Sequence, residues 1–259
     1  MTDYRGHFVW YELMTTDVSA AVEFYGKVVG WTAKDSGMPS MDYRLFHSGE
    51  SMVAGLMMQP EESRKTGAPP GWLGYVAVDD VDAACEAVAA GGGSVFVAPR
   101  DIPGIGRFSV VGDPQQAVIA LFKGSPGDEP PPPPPPGTPG QVGWHELYAS
   151  DWEAAFAFYS GLFGWKKDQA VDIGEMGTYQ LYAPASGRAI GGMFNKPPTV
   201  PANFWLYYFN VEAIDAAAAR VKDNGGSVLN GPMEVPGGAY IVQCMDPQGA
   251  AFALTGPRK

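Results

Sequence analysis

The chain has 259 residues, 46% of them hydrophobic and 17% charged, enough to build the cores of two ordinary domains and too apolar for global disorder. A formal net charge of −11 argues against nucleic acid or an anionic membrane as a partner, because both require a basic face. No window approaches the roughly 18–20 apolar residues of a membrane-spanning helix, and the N-terminus lacks a signal-peptide pattern.

Residues Phe8 to Met14 read as an aromatic and aliphatic strand. Asp17 then supplies a helix N-cap, and Ala21, Phe24, Tyr25 and Val28 recur at helical spacing over Val18 to Val28, with Gly30 closing the helix. The first unit leaves room for one more short strand around Trp31 to Lys34. Tyr43 to His47 and Met52 to Met58 read as strands turning at Gly49, and Glu61 to Gly71 as a polar connection. A second unit follows the same plan: strand Trp72 to Val78, helix Val81 to Ala90 ended by Gly91-Gly92-Gly93, and strands at Val95 to Ala98, Arg107 to Val111 and Val118 to Phe122. Between the last two lies a turn at Asp113-Pro114-Gln115-Gln116.

After the unbroken proline run Pro130 to Pro136, which predicts a polyproline-II linker, the order starts again. Trp10-Tyr11-Glu12-Leu13, Asp17, Phe24-Tyr25 and Gly30-Trp31 return as Trp144-His145-Glu146-Leu147, Asp151, Phe158-Tyr159 and Gly164-Trp165. Later, Trp72-Leu73 returns as Trp205-Leu206 and Asp113-Pro114-Gln115 as Asp246-Pro247-Gln248. The second-half helices read as Trp152 to Leu162 and Ala213 to Asn224. A period this long marks a duplicated domain. The expected boundaries are residues 1–124 and 140–259, with residues 125–139 as linker. Cys85 and Cys244 occupy non-equivalent places in the copies and read as buried free thiols of a reducing cytoplasm.

The strand ending in Leu, the Asp cap, the Phe-Tyr helix with its closing Gly, the Val78-Asp79-Asp80-Val81-Asp82 step and the Asp246-Pro247-Gln248-Gly249 turn together resemble the vicinal-oxygen-chelate superfamily. That group takes in glyoxalases, bleomycin-resistance proteins and extradiol dioxygenases. The resemblance covers both halves. It implies an α+β fold of tandem glyoxalase-like domains, each of two βαβββ modules forming a curled half-barrel sheet with a cleft. It also implies a divalent ion held by His, Glu or Gln at fixed strand positions. Here those positions are Trp10, Leu73 and Ala120 in the first copy, and Trp144, Leu206 and Ala253 in the second. None can coordinate an ion, so no metal or other cofactor is expected.

Alternation along the strands puts Glu12 and Met14 on the face of Trp10, and Glu146 and Tyr148 on that of Trp144. In the family that face lines the cleft, to which Tyr75 and Tyr208 would add. The expected ligand-binding set is therefore Trp10, Met14, Leu73, Tyr75, Arg107, Ala120, Trp144, Tyr148, Leu206, Tyr208, Tyr240 and Ala253. Glu12 and Glu146 are the candidate catalytic or ligand-gripping carboxylates. Each is a perturbed base or ligand anchor, or a structural carboxylate paired with a donor such as Arg107. Arg107 has Tyr240 as its counterpart, which should make the clefts differ electrostatically. His7 reads as exposed, and neither His47 nor His145 recurs in the other copy.

These residues point to a small-molecule binder, monomeric or homodimeric, with catalysis left open. Two alternatives remain. One is a metal-dependent lyase or dioxygenase with displaced ligands. The other is a scaffold for protein interactions.

Overall fold

A computed structural model describes residues 4–38, 41–125, 127, 134–185 and 187–258. In order, the first copy contains β1 (Phe8–Thr15), α1 (Val18–Val28), β2 (Thr32–Asp35), β3 (Tyr43–Ser48), β4 (Ser51–Met58), α2 (Glu61–Lys65), β5 (Gly71–Ala77), α3 (Val81–Ala90), β6 (Ser94–Ile102), β7 (Gly106–Gly112) and β8 (Val118–Gly124). The second contains β9 (Val142–Ala149), α4 (Trp152–Phe163), β10 (Lys166–Asp172), β11 (Thr178–Ala183), β12 (Gly191–Asn195), β13 (Phe204–Asn210), α5 (Ile214–Asp223), β14 (Ser227–Glu234), β15 (Tyr240–Met245) and β16 (Ala251–Gly256). The strand around Trp31 forms as β2. The connection after Met58 contains the short helix α2, whose Glu61 and Lys65 pair one turn apart at 2.7 Å. Within the proline run, residues 130–133 lie outside the described residues; Pro134 to Pro136 are exposed.

Each copy makes one eight-stranded sheet, in the orders β2-β3-β4-β1-β5-β8-β7-β6 and β10-β11-β12-β9-β13-β16-β15-β14. Both sheets are mixed. β1–β4, β5–β8, β9–β12 and β13–β16 are parallel, and the hairpin neighbours are antiparallel. With few helices and two open sheets, the fold is α+β.

Helix starts follow the chemistry of the caps. Asp17, Asp80 and Asp151 each accept the amide of the third residue beyond them, at 3.0 Å. α5 begins after Ala213, which has no such side chain. The left-handed residue after α3 is Gly92, with φ +84°.

The packing divides the chain into two compact units that cut across the repeat. One, here the Glu12 unit, comprises Trp10–Trp72, Pro133–Gly143 and Leu206–Lys259; the other, the Glu146 unit, comprises Met1–Val9, Leu73–Pro132 and Trp144–Trp205. In the Glu12 unit α1 packs on α5. Trp72 Nε1 donates to the Tyr25 hydroxyl at 2.9 Å, and that hydroxyl donates to Asp246 Oδ2 at 3.1 Å. Trp31 Nε1 donates to the Gly140 carbonyl at 2.7 Å. In the Glu146 unit α3 packs on α4. Trp205 Nε1 donates to the Tyr159 hydroxyl at 3.2 Å, and Trp165 Nε1 donates to the Gly6 carbonyl at 2.7 Å. The residues that make the repeat visible therefore bind one copy to the other inside each unit.

Candidate functional site

Glu12 sits on β1 opposite Gly55 of β4, and Glu146 sits on β9 opposite Gly192 of β12. One strand further out stand Tyr43 on β3 and Tyr179 on β11. Each tyrosine ring crosses the intervening strand over the glycine. A Cβ added at Gly55 would fall 1.8 Å from the Tyr43 hydroxyl, and one at Gly192 would fall 2.1 Å from Tyr179 Cε1. Only a residue without a side chain lets the phenol reach the carboxylate.

The result is a hydrogen-bonded relay made twice. The Tyr43 hydroxyl donates to Glu12 Oε2 at 3.0 Å and accepts from Trp10 Nε1 at 3.1 Å. The Tyr179 hydroxyl donates to Glu146 Oε2 at 2.9 Å and accepts from Trp144 Nε1 at 2.7 Å. Burial first, and then the charge of the adjacent Glu, push both phenol pKa values up, so both phenols stay protonated and act as donors. Each relay holds a carboxylate at a fixed position through the tyrosine hydroxyl. Gly55→Ala and Gly192→Ala should each displace the tyrosine and lower stability by about 1–3 kcal/mol, the usual cost of overpacking. Unchanged denaturation midpoints in both variants would show that the rings swing aside freely.

The relays differ in what surrounds them. In the Glu146 unit, Tyr148 stacks on Phe204 at 4.6 Å and meets Phe194 edge-on at 4.6 Å. Glu146, Tyr148 and Phe194 are only 6%, 8% and 5% exposed. The strand register and the repeat place Met14, Met57 and Gly71 at the corresponding positions of the first copy. There Glu12, Met14 and Met57 are all half-exposed.

The other expected site residues are distributed as follows. Leu73, Tyr75, Ala120, Leu206, Tyr208 and Ala253 are all buried. Tyr75 packs on Phe108 and Phe122, and the Tyr208 hydroxyl accepts from Gln243 Nε2 at 3.0 Å. Arg107 is not the partner of Glu12. Its guanidinium makes a two-pronged contact with Asp82 at 2.6 and 2.9 Å and a third bond to Asp101 at 2.8 Å. Nor does the Arg107–Tyr240 exchange leave the second copy without this ion pair. Asp215, the counterpart of Asp82, is held by Arg258 at 3.0 Å, and Arg258 also lies over the Tyr240 ring. The Tyr240 hydroxyl donates to Glu234.

The histidines stand apart from the relays. His7 is half-buried rather than exposed. His47 is buried, with Nδ1 3.0 Å from the Leu45 carbonyl. His145 stacks on Phe8 at 3.9 Å, and its Nδ1 donates to the Ile190 carbonyl at 2.6 Å. Burial depresses its pKa to about 3. Both cysteines are free and buried.

The positions that the family uses for a divalent ion do not fit one. The indole nitrogens of Trp10 and Trp144 carry hydrogens that they donate to tyrosines. The leucines and alanines at the remaining positions offer only hydrocarbon. Among the described residues, no three His, Cys, Asp or Glu side chains come together in a group that could hold a metal.

Comparison with known proteins agrees with the fold. The sequence pattern of the Glyoxalase/Bleomycin resistance protein/Dioxygenase superfamily matches residues 6–121 and again residues 141–254. A Mycobacterium tuberculosis protein provisionally named as a glyoxylase, CFP32, is 34% identical over 99% of this chain and 97% of its own length. The anthracycline biosynthesis protein DauV of Streptomyces sp. strain C5 is 30% identical, over 95% of this chain and 91% of its own. Among solved structures, the Mn(II)-bound glyoxalase from Novosphingobium aromaticivorans superposes with a TM-score of 0.64 at 18% identity, covering 99% of this chain and 83% of that one. The 2,2',3-trihydroxybiphenyl 1,2-dioxygenase of Sphingomonas wittichii gives 0.67 at 15%, covering 98% and 91%. At that identity the structural likeness speaks for the fold alone. With its pattern matched twice and a relative 34% identical along almost the whole of both chains, the chain belongs to the Glyoxalase/Bleomycin resistance protein/Dioxygenase superfamily.

Proposed function

We propose that the protein binds a small organic molecule through its relay carboxylates, without the divalent ion used elsewhere in the superfamily. The observation that carries this is the Trp–Tyr–Glu relay, built in both copies at the position where the family places its first metal ligand. A tryptophan stands where a ligand would, and its N–H orients the tyrosine that grips the glutamate. The carboxylate then supplies the polar anchor in otherwise aromatic and aliphatic surroundings, the usual make-up of a small-molecule site. The relatives named for anthracycline biosynthesis fit a role on polycyclic aromatic compounds. Sequestration without turnover is the simplest form of this reading. Two buried, unbridged thiols fit a cytoplasmic setting.

A thermal-shift screen of neutral hydroxy- and amino-aromatic compounds, run on chelator-treated protein, tests this. Ligand-dependent increases in Tm should survive chelation, because nothing in the relay needs an ion. One transition-metal ion per copy in the purified protein, with shifts lost on chelation, would favour a metal-dependent lyase or dioxygenase with displaced ligands.

A further inference from the structure

We infer that the duplicated relays have diverged, so that the protein takes one ligand per chain, at Glu12, and that this ligand is a flat aromatic compound carrying a neutral O–H or N–H donor. The inference rests on the proposed binding role and specifies which copy performs it.

The relays share geometry, and their surroundings decide which is accessible. At Glu146 the next position on the same strand face carries Tyr148, which stacks on Phe204 and meets Phe194 edge to face. Tyr179 adds a tilted contact to Phe194 at 5.7 Å. Such aromatic pairs contribute more than their buried area alone, and a ligand would have to break them. At Glu12 every counterpart is smaller or more flexible: Met14 for Tyr148, Met57 for Phe194 and Gly71 for Phe204. Met14 and Met57 are neighbours in the β1–β4 register, as Tyr148 and Phe194 are in β9–β12. The replacement is therefore a matched change at one place in the fold. It leaves Glu12, Met14 and Met57 half-exposed, where Glu146, Tyr148 and Phe194 are buried; Trp10 and Trp144 are half-exposed alike.

The same residues state the ligand's chemistry. Methionine side chains adapt their shape and make favourable sulfur–aromatic contacts, so the register-paired Met14 and Met57 suit a ring system. The carboxylate is held in place by the Tyr43 hydroxyl and accepts hydrogen bonds. It therefore selects a donor on the ring. An anionic substituent would meet Glu12 at close range and a chain of net charge −11.

Calorimetric and fluorescence titration with 2-naphthol, 2-methoxynaphthalene and 2-naphthoate tests each part. These probes share the ring and present, respectively, a hydroxyl donor, no donor and a carboxylate. The expected result is one 2-naphthol per chain, with about tenfold weaker binding of the ether and weaker still of the acid, in line with a lost hydrogen bond to a charged group. Glu12→Gln should weaken 2-naphthol by at least about tenfold and narrow its preference over the ether. Met14→Tyr with Gly71→Phe should close the site, and Tyr148→Met with Phe204→Gly should raise the stoichiometry to two. Should the last variant fail to fold, the wild-type stoichiometry and the Met14→Tyr/Gly71→Phe variant still decide. Two equivalent sites in the wild type, or unaltered binding in Glu12→Gln, would overturn the divergence and leave the binding role standing. Equal affinity for the three probes would overturn the ligand class. If none of the three binds while the thermal-shift screen returns other ligands, the ligand class fails and the binding role stands.

Discussion

Replacing Trp165 by alanine should destabilise the protein by about 3–5 kcal/mol, the range for deleting a buried aromatic side chain. The indole is 1% exposed. It stacks on Tyr182 at 4.3 Å, meets Phe163 at 4.9 Å and Tyr159 at 5.6 Å, and packs against Phe8 and Trp205 at 6.0 Å. Its Nε1 also satisfies the carbonyl of Gly6, a residue of the other copy. Alanine would leave a large cavity and an orphaned acceptor together. Trp165→Phe keeps most of the ring contacts and loses the hydrogen bond, so it should cost less, about 1–3 kcal/mol. Urea denaturation of both variants gives the comparison. A loss below about 1 kcal/mol in Trp165→Ala would mean that the two copies do not rely on this exchange.

Acidification should weaken the fold through His145. Its folded pKa is pushed down to about 3 by burial, against an ordinary value of 6.5. The unfolded chain therefore binds the proton that the folded one refuses. Stability from this group is complete above pH 6.5 and falls as pH drops from there towards 3, at about 1.4 kcal/mol per pH unit. By pH 5 the loss is about 2 kcal/mol. Asp113 and Asp246 act in the opposite sense. Burial raises both carboxyl groups above their ordinary range, so each contributes stability at low pH that is lost as pH rises through its folded value. The difference between wild type and His145→Gln isolates the histidine, because glutamine retains a donor for the Ile190 carbonyl and does not titrate. Wild-type Tm should fall between pH 6.5 and 5 more steeply than that of the variant. Parallel curves would show that His145 charges freely in the folded protein.

The fold was legible because duplication printed it twice. The Asp17 and Asp151 caps, the Phe-Tyr helices and the Gly-Trp closures are local signals, and repetition separated them from chance. Their meaning was less visible. Tyr25, Trp31, Trp72 and Asp246, with Tyr159, Trp165 and Trp205, are the core shared between the copies, and no local pattern states which copy a side chain will touch. Glu12 and Glu146 could be read because strand alternation ties them to Trp10 and Trp144. Tyr43 and Tyr179 could not, since they lie on a strand two places away across the sheet. The only trace of them in the sequence was a glycine inside an apolar strand, at Gly55 and Gly192, which marks a close approach without naming what approaches. Arg107, weighed as one donor for a structural Glu12, is instead engaged by Asp82 and Asp101 through three hydrogen bonds.

The sharpest check on metal-independent binding at the relay is a 2-naphthol titration of chelator-stripped protein, repeated with one equivalent of Mn(II) per copy. If the Glu12 carboxylate is the anchor, the affinity is the same with and without the ion, and Glu12→Gln weakens both equally. Binding that appears only with Mn(II), or tightens tenfold or more on adding it, would return this protein to the metal-dependent members of its superfamily.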